Sequence, residues 1–126
     1  MVTVNIGGKK FPLCLTVACL DKVNKLCGGL KGLTKYICVN DISTAAEHTA
    51  ALLEILIAGG YWNQVAMSRI LVQDFEKIRL PEANDLYRIM TPGNINAYRS
   101  AALDAITESL HQDIEAEHPK NGDAGQ

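Results

Sequence analysis

The sequence is poor in aromatic residues, has no long apolar run and carries no large excess of either charge. Aromatic side chains account for 6% of its 126 residues, which predicts a mainly aliphatic core. A formal net charge of −2 provides no general attraction to nucleic acid or to an acidic membrane surface, so we expect neither as a partner. The longest apolar run, residues 50–58, contains Glu54 and is far shorter than the ~20 residues that a membrane-spanning helix needs.

Targeting signals and motifs of known catalytic or metal chemistry are missing as well. The N-terminal residues alternate between apolar and polar without the apolar block of a signal peptide, so we expect a cytoplasmic protein. No serine lies in a Gly-x-Ser-x-Gly setting, and Glu47–His48 does not extend to the His-Glu-x-x-His of a zinc-binding helix. These absences predict no enzymatic activity, no cofactor and no metal site, although an active site assembled from residues distant in sequence stays open.

The cysteines lack the spacing of a zinc site. A zinc site usually begins with a Cys-x-x-Cys pair, whose two thiolates reach the same ion from one short turn, and no such pair occurs among Cys14, Cys19, Cys27 and Cys38. Disulfides are disfavoured in a reducing compartment. We therefore predict buried free thiols that pack as small apolar side chains, with metal binding and a redox role as the alternatives.

Residues 2–15 are predicted to form a two-stranded antiparallel hairpin. Apolar and polar residues alternate on both sides of Gly7–Gly8–Lys9–Lys10, and the glycines permit the positive backbone angles of a tight turn. Pro12 has no N–H group to donate, which places the second strand at a sheet edge. A phosphate-binding loop would need an arch of residues before its lysine and a hydroxyl after it, and the sequence has neither.

Four helices are predicted after the hairpin, which makes the fold α+β and mostly α. Their expected spans are about 16–28, 44–66, 81–90 and 92–114. Residues 30–41 show no clear period and are interpreted as a short turn of helix or an irregular connection. We expect residues 1–114 to form a single globular domain and residues 115–126 to be a disordered tail, because the tail is polar and nearly free of aliphatic side chains.

The sequence also predicts where these helices begin and which of their faces are buried. The expected starts are a Thr16 cap, a Thr44–Glu47 capping box, Pro81 and Pro92. The stripe of the first helix predicts a buried face made of Val17, Leu20, Val23 and Cys27. The stripe of the last helix predicts a buried face made of Ile95, Tyr98, Ala102, Ile106 and Leu110.

Tyr61 and Trp62 follow the pair Gly59–Gly60, which either ends the second helix or lets another element approach it closely. Aromatic residues beside a helix break are candidates for anchoring a partner protein, and we select these two as the candidate partner-binding residues. Trp62 is the only tryptophan of the chain. The alternative interpretation is that it fills the core beside the glycines.

Three segments of the chain, Val4–Leu13, Ala50–Gly60 and Thr91–Ile106, resemble the tail assembly chaperones of long-tailed bacteriophages and related prophages. In that family a strand-turn-strand of the form V-x-I-G-G-K-x-[FY]-P-L opens the chain. A Leu/Ala-rich helix follows, and a TPG-like start precedes a final helix with many alanines. The chain departs from the family in its four cysteines and in residues 67–80, which do not align.

The resemblance implies a non-catalytic chaperone that binds the tape measure protein, helps to recruit tail tube subunits and is absent from the mature virion. Family members are often made in two forms by a programmed ribosomal frameshift. Pro119–Lys120–Asn121 is compatible with a slippery codon run, and an ordinary polar tail is the alternative. A structural virion component, such as a head-tail connector or tail-associated protein, is the second functional hypothesis. Self-association into a homo-oligomer is left open.

Overall fold

Residues 1–111, the part of the chain that this computed structural model describes, form a two-stranded hairpin followed by five α-helices. The strands are β1 (Thr3–Ile6) and β2 (Lys9–Pro12). The helices are α1 (Val17–Cys27), α2 (Leu33–Ile37), α3 (Ile42–Ile70), α4 (Ala83–Ile89) and α5 (Ile95–Leu110), with a 3-10 turn at Leu30–Gly32. The predicted α+β, mostly α fold is confirmed. The predicted disordered tail, residues 115–126, lies outside the described residues.

The hairpin pairs β1 and β2 in antiparallel register, with Val4 opposite Phe11. Gly7 (φ 60°) and Gly8 (φ 86°) form its two-residue turn, in which positive backbone angles match the twist of the strands. The Asn5 side chain accepts a hydrogen bond from the Gly8 N–H at 3.0 Å. The predicted hairpin is confirmed with shorter strands than expected, since regular pairing ends at Pro12 and the next three residues continue into the core.

Helix α3 is the central element, and it is longer at both ends than the predicted 44–66. Its N-cap is Asp41, whose carboxylate accepts from the Thr44 N–H at 2.9 Å and from the Thr44 hydroxyl at 2.6 Å. These two hydrogen bonds lower the pKa of Asp41, because they stabilise its charged form. The predicted Thr44–Glu47 capping box is therefore wrong: the helix has already begun at Ile42, which leaves Thr44 inside the first turn.

Gly59 and Gly60 continue α3 rather than end it, because the chain after β2 crosses the helix at these two residues. A Cβ added at Gly60 would lie 2.1 Å from the Pro12 carbonyl oxygen, and one added at Gly59 would lie 2.2 Å from the Cys14 carbonyl oxygen. At the same crossing the Cys14 N–H donates to the Leu56 carbonyl oxygen at 3.1 Å. The missing side chains let the two backbones touch, which is the close-approach interpretation of the glycine pair.

Helix α1 begins at Val17 and ends at Cys27, and the next residue, Gly28, has a φ of 74° that matches the expected glycine exit. The Thr16 side chain does not cap the helix; its hydroxyl donates to the Cys19 sulfur at 3.2 Å. Val17 is 84% exposed, so its assignment to the buried face is wrong, and Cys19 and Val23 are the residues that α1 buries. The segment predicted as a turn of helix or a connection contains the 3-10 turn and α2.

Helix α4 begins at Ala83, two residues later than predicted, because its cap comes from acidic side chains rather than from Pro81. Glu82 and Asp85 form a reciprocal capping box, in which the Asp85 carboxylate accepts from the Glu82 N–H at 3.1 Å. Glu54 of α3 accepts from the Ala83 N–H at 3.0 Å. This last bond satisfies a free backbone donor of α4 and joins the two helices.

Helix α5 begins at Ile95, so Pro92 lies before the helix and not in its first turn. Thr91 and Asn94 close the preceding turn reciprocally: the Asn94 side chain accepts from the Thr91 N–H at 2.6 Å, and the Thr91 hydroxyl accepts from the Asn94 N–H at 3.2 Å. The predicted buried stripe holds at Ile95, Ala102 and Ile106 and fails at Leu110, which is 54% exposed. The predicted helix end at 114 lies beyond the described residues.

The last turn of α5 ties the helix to the start of the chain. The Ser109 hydroxyl accepts from the Leu15 N–H at 3.0 Å, and the Glu108 carboxylate accepts from the Val2 N–H at 3.0 Å.

The core of the described residues is mainly aliphatic, as predicted. Its largest fully buried side chains are Leu13, Ile37, Leu52, Leu53, Leu56, Ile57 and Leu86. Within residues 1–111, no helix combines the length and apolar character needed to cross a bilayer.

We expect Gly60→Ala to destabilise the protein, because its new Cβ would overlap the Pro12 carbonyl oxygen. Alanine favours a helix over glycine by about 1 kcal/mol, but overpacking against backbone should lower the free energy of unfolding by a net ~2 kcal/mol. Urea unfolding followed by circular dichroism measures the change. The control is Gly93→Ala, where the nearest atom lies 3.8 Å away. Equal effects of the two substitutions would contradict a tight crossing at Gly60.

We expect Thr49→Val to stabilise the protein, because the fully buried Thr49 hydroxyl has no hydrogen-bond partner among residues 1–111. Replacing an unsatisfied buried hydroxyl by a methyl group of similar shape should raise the free energy of unfolding by about 1 kcal/mol. Thr107→Val, on the exposed side of α5, serves as the control and should change stability by less than about 0.5 kcal/mol. A loss of stability in Thr49→Val would show that the hydroxyl is hydrogen-bonded in solution.

Candidate functional site

The end of α3 and the turn after it expose a group of large apolar side chains. Its members are 52–91% exposed, and we call them the α3 tip: Trp62, Met67, Ile70, Leu71 and Val72. The other exposed large apolar side chains of the described residues are dispersed over the fold, at Met1, Val17, Ile42, Ile89 and Leu110. Single exposed apolar residues are ordinary, whereas five of the ten in the described residues fall within positions 62–72, which makes the end of α3 the candidate surface for binding another molecule.

The α3 tip is exposed because α3 is longer than the core it crosses. Its 29 residues extend over about 43 Å, and Tyr61 is the last of them to be buried. From Trp62 to Ile70 the helix is covered on one side only, by the segment that follows it. The last turns of α3 therefore project from the body of the protein, with large apolar side chains that stay more than half exposed.

Tyr61 and Trp62, the two predicted partner-binding residues, have different environments. Trp62 is 61% exposed, so the interpretation that it fills the core is wrong. Tyr61 is 8% exposed and packs edge-to-face against Trp62 at 5.1 Å and against Phe75 at 5.4 Å between ring centroids. Tyr61 thus supports the two other rings from beneath, while Trp62 presents its indole to solvent. Partner binding by this pair stays a prediction.

The chain reverses direction at Val72, which has a φ of 54°. This left-handed backbone is unfavourable for a β-branched residue, and Val72 is 91% exposed, so no packing of its side chain explains it. The Gln73 N–H donates to the Ser68 carbonyl oxygen at 2.8 Å and closes the reversal. The reversal directs the following residues, which have no regular secondary structure, back along α3 as far as the start of α4.

A groove lies between α3 and this returning segment, and we call it the aromatic groove. It consists of two adjoining cavities of about 620 and 230 Å³, which share Tyr61 and Phe75 as walls. The larger cavity is also lined by Trp62 and Val65, and the smaller one extends to the hairpin at Phe11. The groove therefore has an aromatic floor and opens beside the α3 tip.

Charged side chains surround the aromatic groove unevenly. Lys9 and Lys10 of the hairpin, Arg69 of α3 and Lys77 of the returning segment contribute four positive charges to its lining. Asp74 and Glu76 contribute two negative charges. The groove is thus positively charged on balance, although the whole chain has a net charge of −2.

Elsewhere in residues 1–111, the ionisable pair Tyr36 and His48 joins α2 to α3. Tyr36 stacks on His48 with 3.9 Å between ring centroids, and the His48 Nδ1–H donates to the Tyr36 carbonyl oxygen. Burial is the main cause that raises the pKa of Tyr36, with smaller contributions from Cys27 and Glu47. No group of three potential metal-ligating side chains occurs in the described part of the chain.

The cysteines depart in part from the prediction of four buried thiols. Cys14 and Cys19 are buried where the hairpin and α1 meet α3, as expected. Cys27 is only partly buried, and its thiol donates to the Val23 carbonyl oxygen at 3.2 Å. Cys38 is exposed after α2, so the prediction is wrong for this residue. All four are free thiols.

Several residues of the site were missed by sequence reasoning. These are Met67, Ile70, Leu71 and Val72 of the α3 tip together with Phe75, all in the mixed segment after residue 66, where α3 was expected to have ended. The available signal was Ile70–Leu71–Val72, three large apolar residues directly before a polar stretch. Such a run is typical of a buried strand as well as of an exposed binding surface, so the sequence alone does not distinguish the two.

Comparisons with known proteins do not assign the chain to a family or a function. No protein-family model, no curated protein and no solved structure matches the chain. The α3 tip, the aromatic groove and the resemblance of the three sequence segments are therefore the features from which a function can be proposed.

We expect Val72→Asn to stabilise the protein, because asparagine tolerates left-handed backbone better than a β-branched residue does. Relief of this strain should raise the free energy of unfolding by about 1 kcal/mol, measured by urea unfolding. The control is Val17→Asn, at a similarly exposed position with helical backbone, which should change stability by less than about 0.5 kcal/mol. An unchanged or lower stability of Val72→Asn would contradict strain at this reversal.

Proposed function

We propose that this protein is a non-catalytic assembly chaperone of a long-tailed bacteriophage or prophage. In this proposal it binds the tape measure protein through the α3 tip and helps to recruit tail tube subunits. It acts in the cytoplasm of the bacterial host and is absent from the mature virion. The observation that carries the proposal is the α3 tip, a projecting apolar surface next to a groove, on a chain whose three segments resemble that family.

The physical basis is the shielding of a client's apolar helix surface. A long helical client presents apolar stripes before it assembles, and these stripes aggregate unless another apolar surface covers them. The α3 tip offers such a surface, and Trp62 offers a large, rigid and exposed side chain of the kind that anchors interfaces. The aromatic groove beside it adds a concave site of the type in which an amphipathic helix packs.

The segments that carry the resemblance lie mainly in the body of the fold. Val4–Leu13 contains most of the hairpin, Ala50–Gly60 contains the crossing of α3, and Thr91–Ile106 contains the turn before α5 and most of that helix. These parts hold α3 in position and leave its end projecting. In the proposal, the family-like segments form the scaffold, and the α3 tip, which lies outside these three segments, forms the client-binding surface.

The experiment is co-expression of the protein with the product of the long reading frame next to its gene, which the proposal expects to be the tape measure protein. We expect the wild-type protein to raise the soluble fraction of the tape measure protein and to co-purify with it. Trp62→Glu should weaken this binding at least about tenfold, since it replaces an exposed aromatic anchor by a charge, and it should leave the fold intact. The readouts are the soluble fraction of the client and a pull-down titration.

The matched control is Val17→Glu, which introduces the same charge at a more exposed apolar position on α1. This variant should bind the client as the wild type does. Equal losses in the two variants would contradict a client surface at the α3 tip.

Mass spectrometry of purified virions tests the second functional hypothesis, because detection of the protein in particles would favour a structural virion component.

A further inference from the structure

The positive charges around the aromatic groove have no partners within the described part of the chain. Ion pairs among residues 1–111 are limited to the N-terminal amine with Glu108 and Lys25 with Asp21, both away from the groove. Lys9 lies over the Phe11 ring at 5.5 Å, and its charge stays free for another group. Unpaired charges that surround an apolar site favour a ligand of the opposite charge and disfavour ligands of the same charge.

The α3 wall of the groove favours a helical ligand over an extended one. The backbone groups of α3 bond within the helix as far as Ile70, so this wall offers side chains and no free backbone groups. An extended peptide would leave its own N–H and C=O groups without partners along this wall. A helix satisfies its backbone internally and can insert apolar side chains between Trp62 and Phe75.

We infer that the aromatic groove binds an amphipathic helix of another protein whose apolar stripe is flanked by carboxylates. The inference rests on the proposed function, since it specifies which helical segments of a client this same surface selects. Apolar side chains of the ligand contact Trp62, Val65 and Phe75 in the larger cavity. Carboxylates on its flanks face Arg69 and Lys77 on one side and reach Lys9 and Lys10 at the hairpin end.

The test uses Trp62 as a built-in reporter, because it is the only tryptophan of the chain and is 61% exposed. Three synthetic peptides free of tryptophan share one leucine stripe. The first has glutamates on its flanks, the second has lysines there, and the third repeats the first with a central proline that breaks the helix. Binding is measured by titration of the full-length protein, with a blue shift of the Trp62 emission as the signal.

We expect the glutamate peptide to bind about tenfold more tightly than the lysine peptide at low salt, with the ratio falling as salt is added. The proline peptide should bind more weakly than the glutamate peptide. The double variant R69E/K77E should remove or reverse the preference for the glutamate peptide. The control K22E/K35E changes the net charge equally on α1 and α2, at exposed lysines that do not line the groove, and should keep the preference.

Each of the other outcomes overturns the inference. Equal binding of the two charged peptides would remove the charge selection, and equal binding of the proline peptide would remove the helix. Trp62 emission that depends on protein concentration, with a dimer in sedimentation, would assign the surface to a second copy of the chain. A protein that still solubilises the tape measure protein but fails these peptide tests would refute this inference and leave the proposed function standing.

Discussion

The structure depends on one close contact, the crossing of the chain after β2 over α3 at Gly59 and Gly60. Helix α3 contacts every other α-helix of the described residues as well as β2. A contact that fixes α3 along its axis therefore fixes the positions of the other elements too. The crossing does this through backbone: carbonyl oxygens of Pro12 and Cys14 occupy the space that two side chains would fill, and the Cys14 N–H bonds to Leu56. Backbone contacts permit little sliding, because neither partner can change rotamer.

The position of α3 explains why its end projects. The buried residues of α3 end at Tyr61, just beyond the crossing, while the helix continues for nine more residues. Such an extension stays helical because its backbone bonds are internal, even without packing on most of its surface. The exposed apolar side chains of this extension reduce solubility, and the left-handed backbone of Val72 reduces stability. Neither contributes to the core. In the proposed function, a partner covers this surface.

The site combines an aromatic support with a charged margin. Tyr61 is buried and holds the rings of Trp62 and Phe75 edge-to-face, so the groove is already formed before any ligand binds. A preformed site loses less conformational freedom on binding than a disordered one, which favours association through a small surface. The positive charges lie at the margin, where they influence the choice of partner and the rate of encounter more than the affinity. Apolar contact and charge selection are thus carried by different residues.

The sequence was sufficient to predict the local elements: the hairpin from alternation and its glycine turn, the α-helical majority from period and composition, and the glycine exit of α1. It also indicated Tyr61 and Trp62 as a region of interest. Helix boundaries were less accurate, because Asp41 and Glu82 replaced the expected starts through side-chain bonds that the pattern does not reveal. The folded arrangement was needed to show that Gly59–Gly60 is a crossing, that Trp62 faces solvent and that Phe75 returns to meet Tyr61. Periodicity reports which side of an element is apolar, whereas coverage of that side depends on which distant residues fold against it.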